Sequence, residues 1–396
     1  MAAAELELRS GKGTRLIPGT GGDVLLLSMR QIDNLVAYCA PYEFEDVVAQ
    51  LTGADMVAVD DPAALEFSRR VYKWARAATR SPQLAHMVTP RPSVVQLTRD
   101  YELFLPVFSH MYQLHGLASV PEWRKHCRVG ACLIMEAWAG QLPEYLLELL
   151  SEFDHVFLAV QHAVKDVAKM IGRPVTYLPY SVDALRFSPL PHLPARPIDL
   201  CNIGRRSDVS HAALLRLADA HKIFYYYDTV AAGEDRRQRT FRVDAPSEHR
   251  RLLASLLQRS RYFIANRARV NEADFIAGRD EISGRFYEGA AAGAVMLGEA
   301  PRNDEFKRQF DWPDAVIHLP FDSRNIGDVL AELDSDPERL RRIRRSNVHN
   351  AALRHDWAYR YDAVRKVLGI NTRTAAMDSR LQALQVVAEQ ALSAPL

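Results

Sequence analysis

The chain has 396 residues and nearly balanced charge, with 50 Lys and Arg against 49 Asp and Glu, for a formal net charge of +1. That balance gives no bulk electrostatic case for nucleic acid or a membrane. Hydrophobic residues at 48% and charged residues at 25% are ordinary globular proportions, and the length exceeds what one hydrophobic core usually serves, so two domains are expected.

The first thirteen residues, MAAAELELRSGKG, are acidic and then basic with no apolar core, which does not read as a signal peptide. No run approaches 18 apolar residues, so no membrane span is expected, and a cytoplasmic location follows as the default. The four cysteines, Cys39, Cys127, Cys132 and Cys201, form no C-x-x-C pair. A zinc site or a disulfide framework is therefore not expected, and a reducing compartment is.

In the first half, strands are predicted at 23–29, 54–60, 93–98, 131–138 and 155–161, with helices at 41–51 and 142–153. The glycines of PGTGGD (18–23) precede their strand, so they fail as a dinucleotide fingerprint. Glu136 closes a predicted strand, a place that suits a catalytic or acceptor-binding acid and equally a buried or loop carboxylate. Trp123 and Trp138 nearby could stack on sugars. His110, His115, His126, His155 and His162 read as structural. The basic stretch 69–80 reads as a surface helix, with contact to anionic lipid as the other option. Residues 177–199 hold five prolines, which excludes a long helix and suits a connection between domains.

From residue 198 the pattern is clearer. Strands are predicted at 198–204, 222–228, 261–266, 294–299 and 315–321, with helices at 211–221, 249–260, after 284, 324–333 and 338–355. Strands alternating with helices imply a parallel, doubly wound sheet, which binds ligands beyond the carboxyl ends of its strands. The arginines of 338–347 fall on several faces around Leu340 and Ile343, so a solvated helix is expected there rather than a nucleic-acid site.

GRFYEGAAAGAVMLG (284–298) places Glu288 before six residues with almost no side chain. A helix starting beneath a ligand offers free N–H groups, and small residues let the backbone approach closely. A carboxylate in its first turn could accept hydrogen bonds from a ribose diol. The other reading is a helix packed tightly on a sheet.

Asp280 stands eight residues before Glu288, with Glu281 beside it, flanking a strand-to-helix loop. This pattern resembles the signature of GT-B glycosyltransferases, and most of all the group-1 class that includes family 4 and the CgeB-like proteins. Pro179, Val182, Asp183, Phe187 and Pro189 resemble that class's interdomain P-x-x-V-D-x-x-x-F-x-P segment. Gly204, Arg205 and Arg206 resemble its glycine-arginine turn, and HDWAYRYDAVRKVLG (355–369) its closing W-x-x-R helix. The likeness spans about residues 150–370. Where many family 4 enzymes carry a lysine after the turn, this chain reads Ser207, Asp208, Val209, Ser210 and His211.

The resemblance implies two Rossmann-like doubly wound domains facing a cleft. Residues 1–185 would form the acceptor side, 186–197 the linker, 198–370 the donor domain and 371–396 a helical tail. It implies transfer of a sugar from a nucleotide-diphosphate-sugar to an acceptor left open, without metal or cofactor. Arg205 and Arg206 would hold the diphosphate, Gly204 and Arg285 would belong with them to the donor-nucleotide site, Glu288 would hold the ribose, and Asp280 or Glu281 would face the donor sugar. The paired acids lean towards retention. A non-catalytic sugar-nucleotide or glycan binder and a nucleotide-sugar epimerase stay open as alternatives, as does the oligomeric state.

Overall fold

A computed structural model of the chain describes residues 13–90, 93–138, 142–228 and 241–396. Most of the N-terminal stretch that bears on a signal peptide, residues 1–12, lies outside them. The chain divides into two compact units. The first runs to Pro179 and includes Asp244–Pro246 and Arg360–Met377; the second holds Tyr180–Val243, Ser247–Tyr359 and Asp378–Leu396.

The first unit is built on seven strands: β1 (Arg15–Ile17), β2 (Val24–Ser28), β3 (Asp55–Ala58), β4 (Tyr101–His110), β5 (Cys127–Glu136), β6 (His155–Leu158) and β7 (Val175–Tyr177). Their order is β1-β3-β2-β4-β5-β6-β7, parallel throughout except for β1 against β3. Every residue of β2 is buried, as a strand covered on both faces requires. Leu25, Leu27, Phe104, Phe108, Cys132 and Ile134 form the centre of one continuous core.

One predicted strand is corrected. Residues 93–98 form no strand, and the place beside β2 is taken by β4. Pro106 hides β4 from a pattern reading, because proline cannot donate to a ladder and argues against a central strand. Here it sits in register with Leu27 inside the sheet.

The second unit has five parallel strands, β8 (Ile198–Asn202), β9 (Tyr225–Tyr227), β10 (Ser260–Ile264), β11 (Val295–Gly298) and β12 (Ile317–His318), in the order β12-β11-β10-β8-β9. Alternation along β10 feeds both faces. Phe263 packs with Phe286, Tyr287, Met296 and Leu384, whereas Tyr262 and Ile264 join Leu200, Leu214 and Leu330. Both units are thus α/β with parallel sheets, the class expected from the alternation of elements.

The proline-rich segment is largely built into the second unit. Val182 and Phe187 are fully buried, and Val182 bridges to Asp356. Asp183 caps the short helix Ala184–Phe187 by accepting from the Arg186 N–H at 3.1 Å. The C-terminal helix Ala375–Ser393 adds Leu384 and Ala388 to the same core.

Candidate functional site

In the second sheet the chain leaves β8 towards β9 on one side and returns to β10 on the other. The carboxyl ends of β8 and β10 therefore mark a topological switch point, where such sheets receive ligands. Gly204 follows β8 there, with φ of +72°, in the left-handed region that glycine tolerates. A Cβ at this position would fall inside the guanidinium of Arg285. The Gly204 N–H donates to both carboxylate oxygens of Asp228, at 2.9 and 3.0 Å.

Arg206 reaches the same carboxylate at 3.1 Å and donates to the Asn202 carbonyl at 3.3 Å. Its guanidinium stands 5.2 Å from the centre of the Tyr227 ring. Arg205 turns elsewhere, donating to Asn271 Oδ1 at 3.0 Å and pairing with Glu272. Glu272 also takes Arg269 at 2.7 Å. Burial works to raise the Glu272 pKa, but the two guanidiniums outweigh it and hold the carboxyl below its ordinary value.

Arg285 projects from the helix Gly284–Ala291 and makes no ion pair among the described residues. Burial draws its pKa below the usual arginine value, with Glu288 and Asp228 pulling the other way. Three of the predicted residues, Gly204, Arg206 and Arg285, thus meet around one turn. Arg205 stands apart in its own ion pairs.

Glu288 differs from the expectation in two respects. The helix begins at Gly284 after Ser283, so Glu288 lies in its second turn and not its first. It is also buried and paired with Arg250, whose guanidinium lies 4.8 Å from the Phe187 ring centre. The residues after it are bald because they pack: a Cβ on Gly289 would stand 2.7 Å from Met296 Sδ and 2.9 Å from Phe263 Cδ1. The close approach is to the sheet.

The buried pair has a measurable consequence. Glu288→Gln keeps the side chain's shape and leaves Arg250 without its counter-charge, so unfolding in urea should show a loss of about 3–5 kcal/mol. An unchanged midpoint with weakened nucleotide binding would instead make Glu288 a ligand-facing residue alone.

Asp280 pairs with Arg267 at 3.3 Å and accepts from the Arg302 N–H at 3.1 Å, while its carbonyl takes Asn303 Nδ2 at 2.7 Å. Glu281 is buried, and its carbonyl accepts from the Ala268 N–H at 2.9 Å. Glu136 belongs to the first unit, exposed at the end of β5 and in register with His110 on β4. His110 Nε2 lies 2.7 Å from Asp33 Oδ2.

Asp228, Arg250 and Arg267 hold predicted site residues and are not singled out by the sequence. Asp228 carried a usable signal, a polar residue just past a strand's carboxyl end. Arg250 did not, because an arginine in HRRLL looks like any helix surface. All four cysteines are free and buried, and burial pushes the Cys127 and Cys201 thiols up to about 12.

Residues 213–366, most of them in the second unit, match the family described as Glycosyl transferase-like, in line with the resemblance read from the sequence. The narrower CgeB-like class is no part of that match. Among solved structures, the chain is similar to HepE (Alr3699) of Anabaena in complex with UDP-glucose. That pair is 10% identical and covers 88% of this chain and 100% of the other, with a TM-score of 0.49. The HepE complex with UDP gives 10% identity, 88% and 99% coverage, and a TM-score of 0.45. TarM of S. aureus gives 9% identity, 68% and 55% coverage, and a TM-score of 0.43. No curated protein matches the chain by sequence.

Proposed function

We propose that the protein is a glycosyltransferase whose second unit holds a nucleotide-diphosphate-sugar over the Gly204 turn. The observation that carries this reading is the guanidinium of Arg285. It is half-buried, without an ion-pair partner among the described residues, and lies against a glycine at the switch point of a parallel sheet. A desolvated, unpaired cation in that place favours an anionic ligand, and a diphosphate offers oxygens for bidentate contact. The match of residues 213–366 to glycosyl transferase-like proteins narrows the anion to a nucleotide-sugar.

When the bond between sugar and diphosphate breaks, negative charge builds on the departing oxygen. Arg285 stabilises it directly, and Arg206 does so through a guanidinium already fixed by Asp228. Arg205, committed to Glu272, contributes less. Glu288, held by Arg250, receives a ribose hydroxyl, and Asp280 or Glu281 faces the donor sugar. Glu136 is the candidate acid of the first unit for the acceptor. The reaction needs no metal in this scheme.

A thermal-shift panel of UDP-, GDP-, ADP- and dTDP-sugars tests the reading. One of them should raise the melting temperature, and the protein should then release the matching nucleoside diphosphate on addition of acceptor or, slowly, to water. Stabilisation without any release would make the protein a binder, and interconversion of the free nucleotide-sugar would make it an epimerase.

A further inference from the structure

Helix Pro62–Thr79 of the first unit carries two apolar stripes. Leu65, Tyr72 and Ala75 are buried. Phe67, Val71, Trp74 and Ala78 form a second stripe at helical spacing, and Trp74 is 74% exposed. The next helix, Pro82–Val88, packs on the first through Ala85 against Tyr72 and Ala75. It leaves Leu84 and Val88 at least half exposed and Met87 81% exposed. Single exposed apolar residues are normal, but five large ones on two packed helices form a patch that calls for a partner.

The charge around the patch selects that partner. Residues 62–90 hold five basic side chains (Arg69, Arg70, Lys73, Arg76 and Arg80) against one acid, Glu66; with Arg76 paired to Glu148, four remain against one, a local net charge of +3 in a chain whose total is +1. Arg70 and Lys73 lie within one turn of Trp74 and are exposed. Two copies meeting face to face through this patch would oppose like charges.

We propose that this face of the first unit docks on an anionic lipid surface. Trp74, Phe67 and Met87 enter the headgroup boundary, while the long stems of Arg70 and Lys73 keep their charges at the phosphates. Among the described residues no helix is long and apolar enough to cross a membrane, so the contact is peripheral. The inference rests on the first unit alone and stands apart from the glycosyltransferase reading.

Flotation of the full chain with vesicles of phosphatidylcholine, with and without phosphatidylglycerol, tests it. The protein should float with the anionic vesicles and be released by salt. The other four tryptophans are buried, so quenching of fluorescence by bromine-labelled lipid should report Trp74. Arg70→Glu with Lys73→Glu should weaken binding about tenfold or more. Trp74→Ser with Met87→Ser should lose flotation with the anionic vesicles, and both variants should keep the parent's circular dichroism. Equal binding to neutral and anionic vesicles, or parent-like binding by both variants, would overturn the proposal. So would a patch-dependent dimer in solution without vesicle binding.

Discussion

Arg380→Met should destabilise the protein by about 3–5 kcal/mol, measured by urea unfolding at neutral pH. Arg380 donates to Asp183 Oδ1 at 2.6 Å and to both oxygens of Asp356 at 2.8 and 2.7 Å. All three side chains are almost wholly withdrawn from water. Asp356 also accepts from the backbone N–H groups of Ala184 and Ala358, both at 2.9 Å. Removing the guanidinium leaves two buried carboxylates facing each other, whereas methionine fills much of the space. The neighbouring Trp357 is fully buried and gives a local fluorescence signal.

The same cluster sets an acid limit. Burial alone would raise the Asp183 pKa, but Arg380 and then Arg186 outweigh it and hold the carboxyl below its ordinary value. A depressed folded pKa contributes stability that is complete above the unfolded value of about 3.9 and is lost as pH falls through the folded value. The parent should therefore lose stability in that acid window, and Arg380→Met should lose less there. A variant with the parent's midpoint at neutral pH would show that the triad adds nothing net.

Gly204→Ala should lower affinity for a nucleoside diphosphate by roughly tenfold to a hundredfold, the worth of one charged hydrogen bond at about 1.5–3 kcal/mol. Two causes act together. The left-handed backbone strains any Cβ by about 1–2 kcal/mol, and that Cβ collides with the Arg285 guanidinium. Titration calorimetry of the variant with diphosphate and with bare nucleoside separates them: general damage weakens both ligands, displacement of Arg285 weakens the diphosphate alone. Equal loss for both would remove Arg285 from the argument.

Much of the second unit was legible because its strands are short apolar runs closed by glycine or a polar residue, as in IDLCNIG and AVMLGE. The glycine-arginine turn could be found for that reason. The partners of the site residues could not. Whether Arg205 turns to Glu272 or to a ligand depends on a loop some 66 residues away in sequence. Glu288 shows the limit most clearly. Its type and position suggest an acid without a partner in the protein, but Arg250, 38 residues earlier, pairs with it. In the first unit a proline inside β4 conceals a central strand of ten residues, because local rules cannot see that neighbouring strands tolerate one missing donor.

The central claim is that the guanidinium of Arg285, without an ion-pair partner among the described residues, receives the diphosphate of a nucleotide-sugar. The most direct measurement compares Arg285→Met with the parent in titrations of UDP, GDP, ADP and dTDP, each beside its nucleoside. The account predicts that the preferred diphosphate binds the variant roughly tenfold to a hundredfold more weakly, while its nucleoside binds both proteins alike. Equal diphosphate affinity in parent and variant would contradict it.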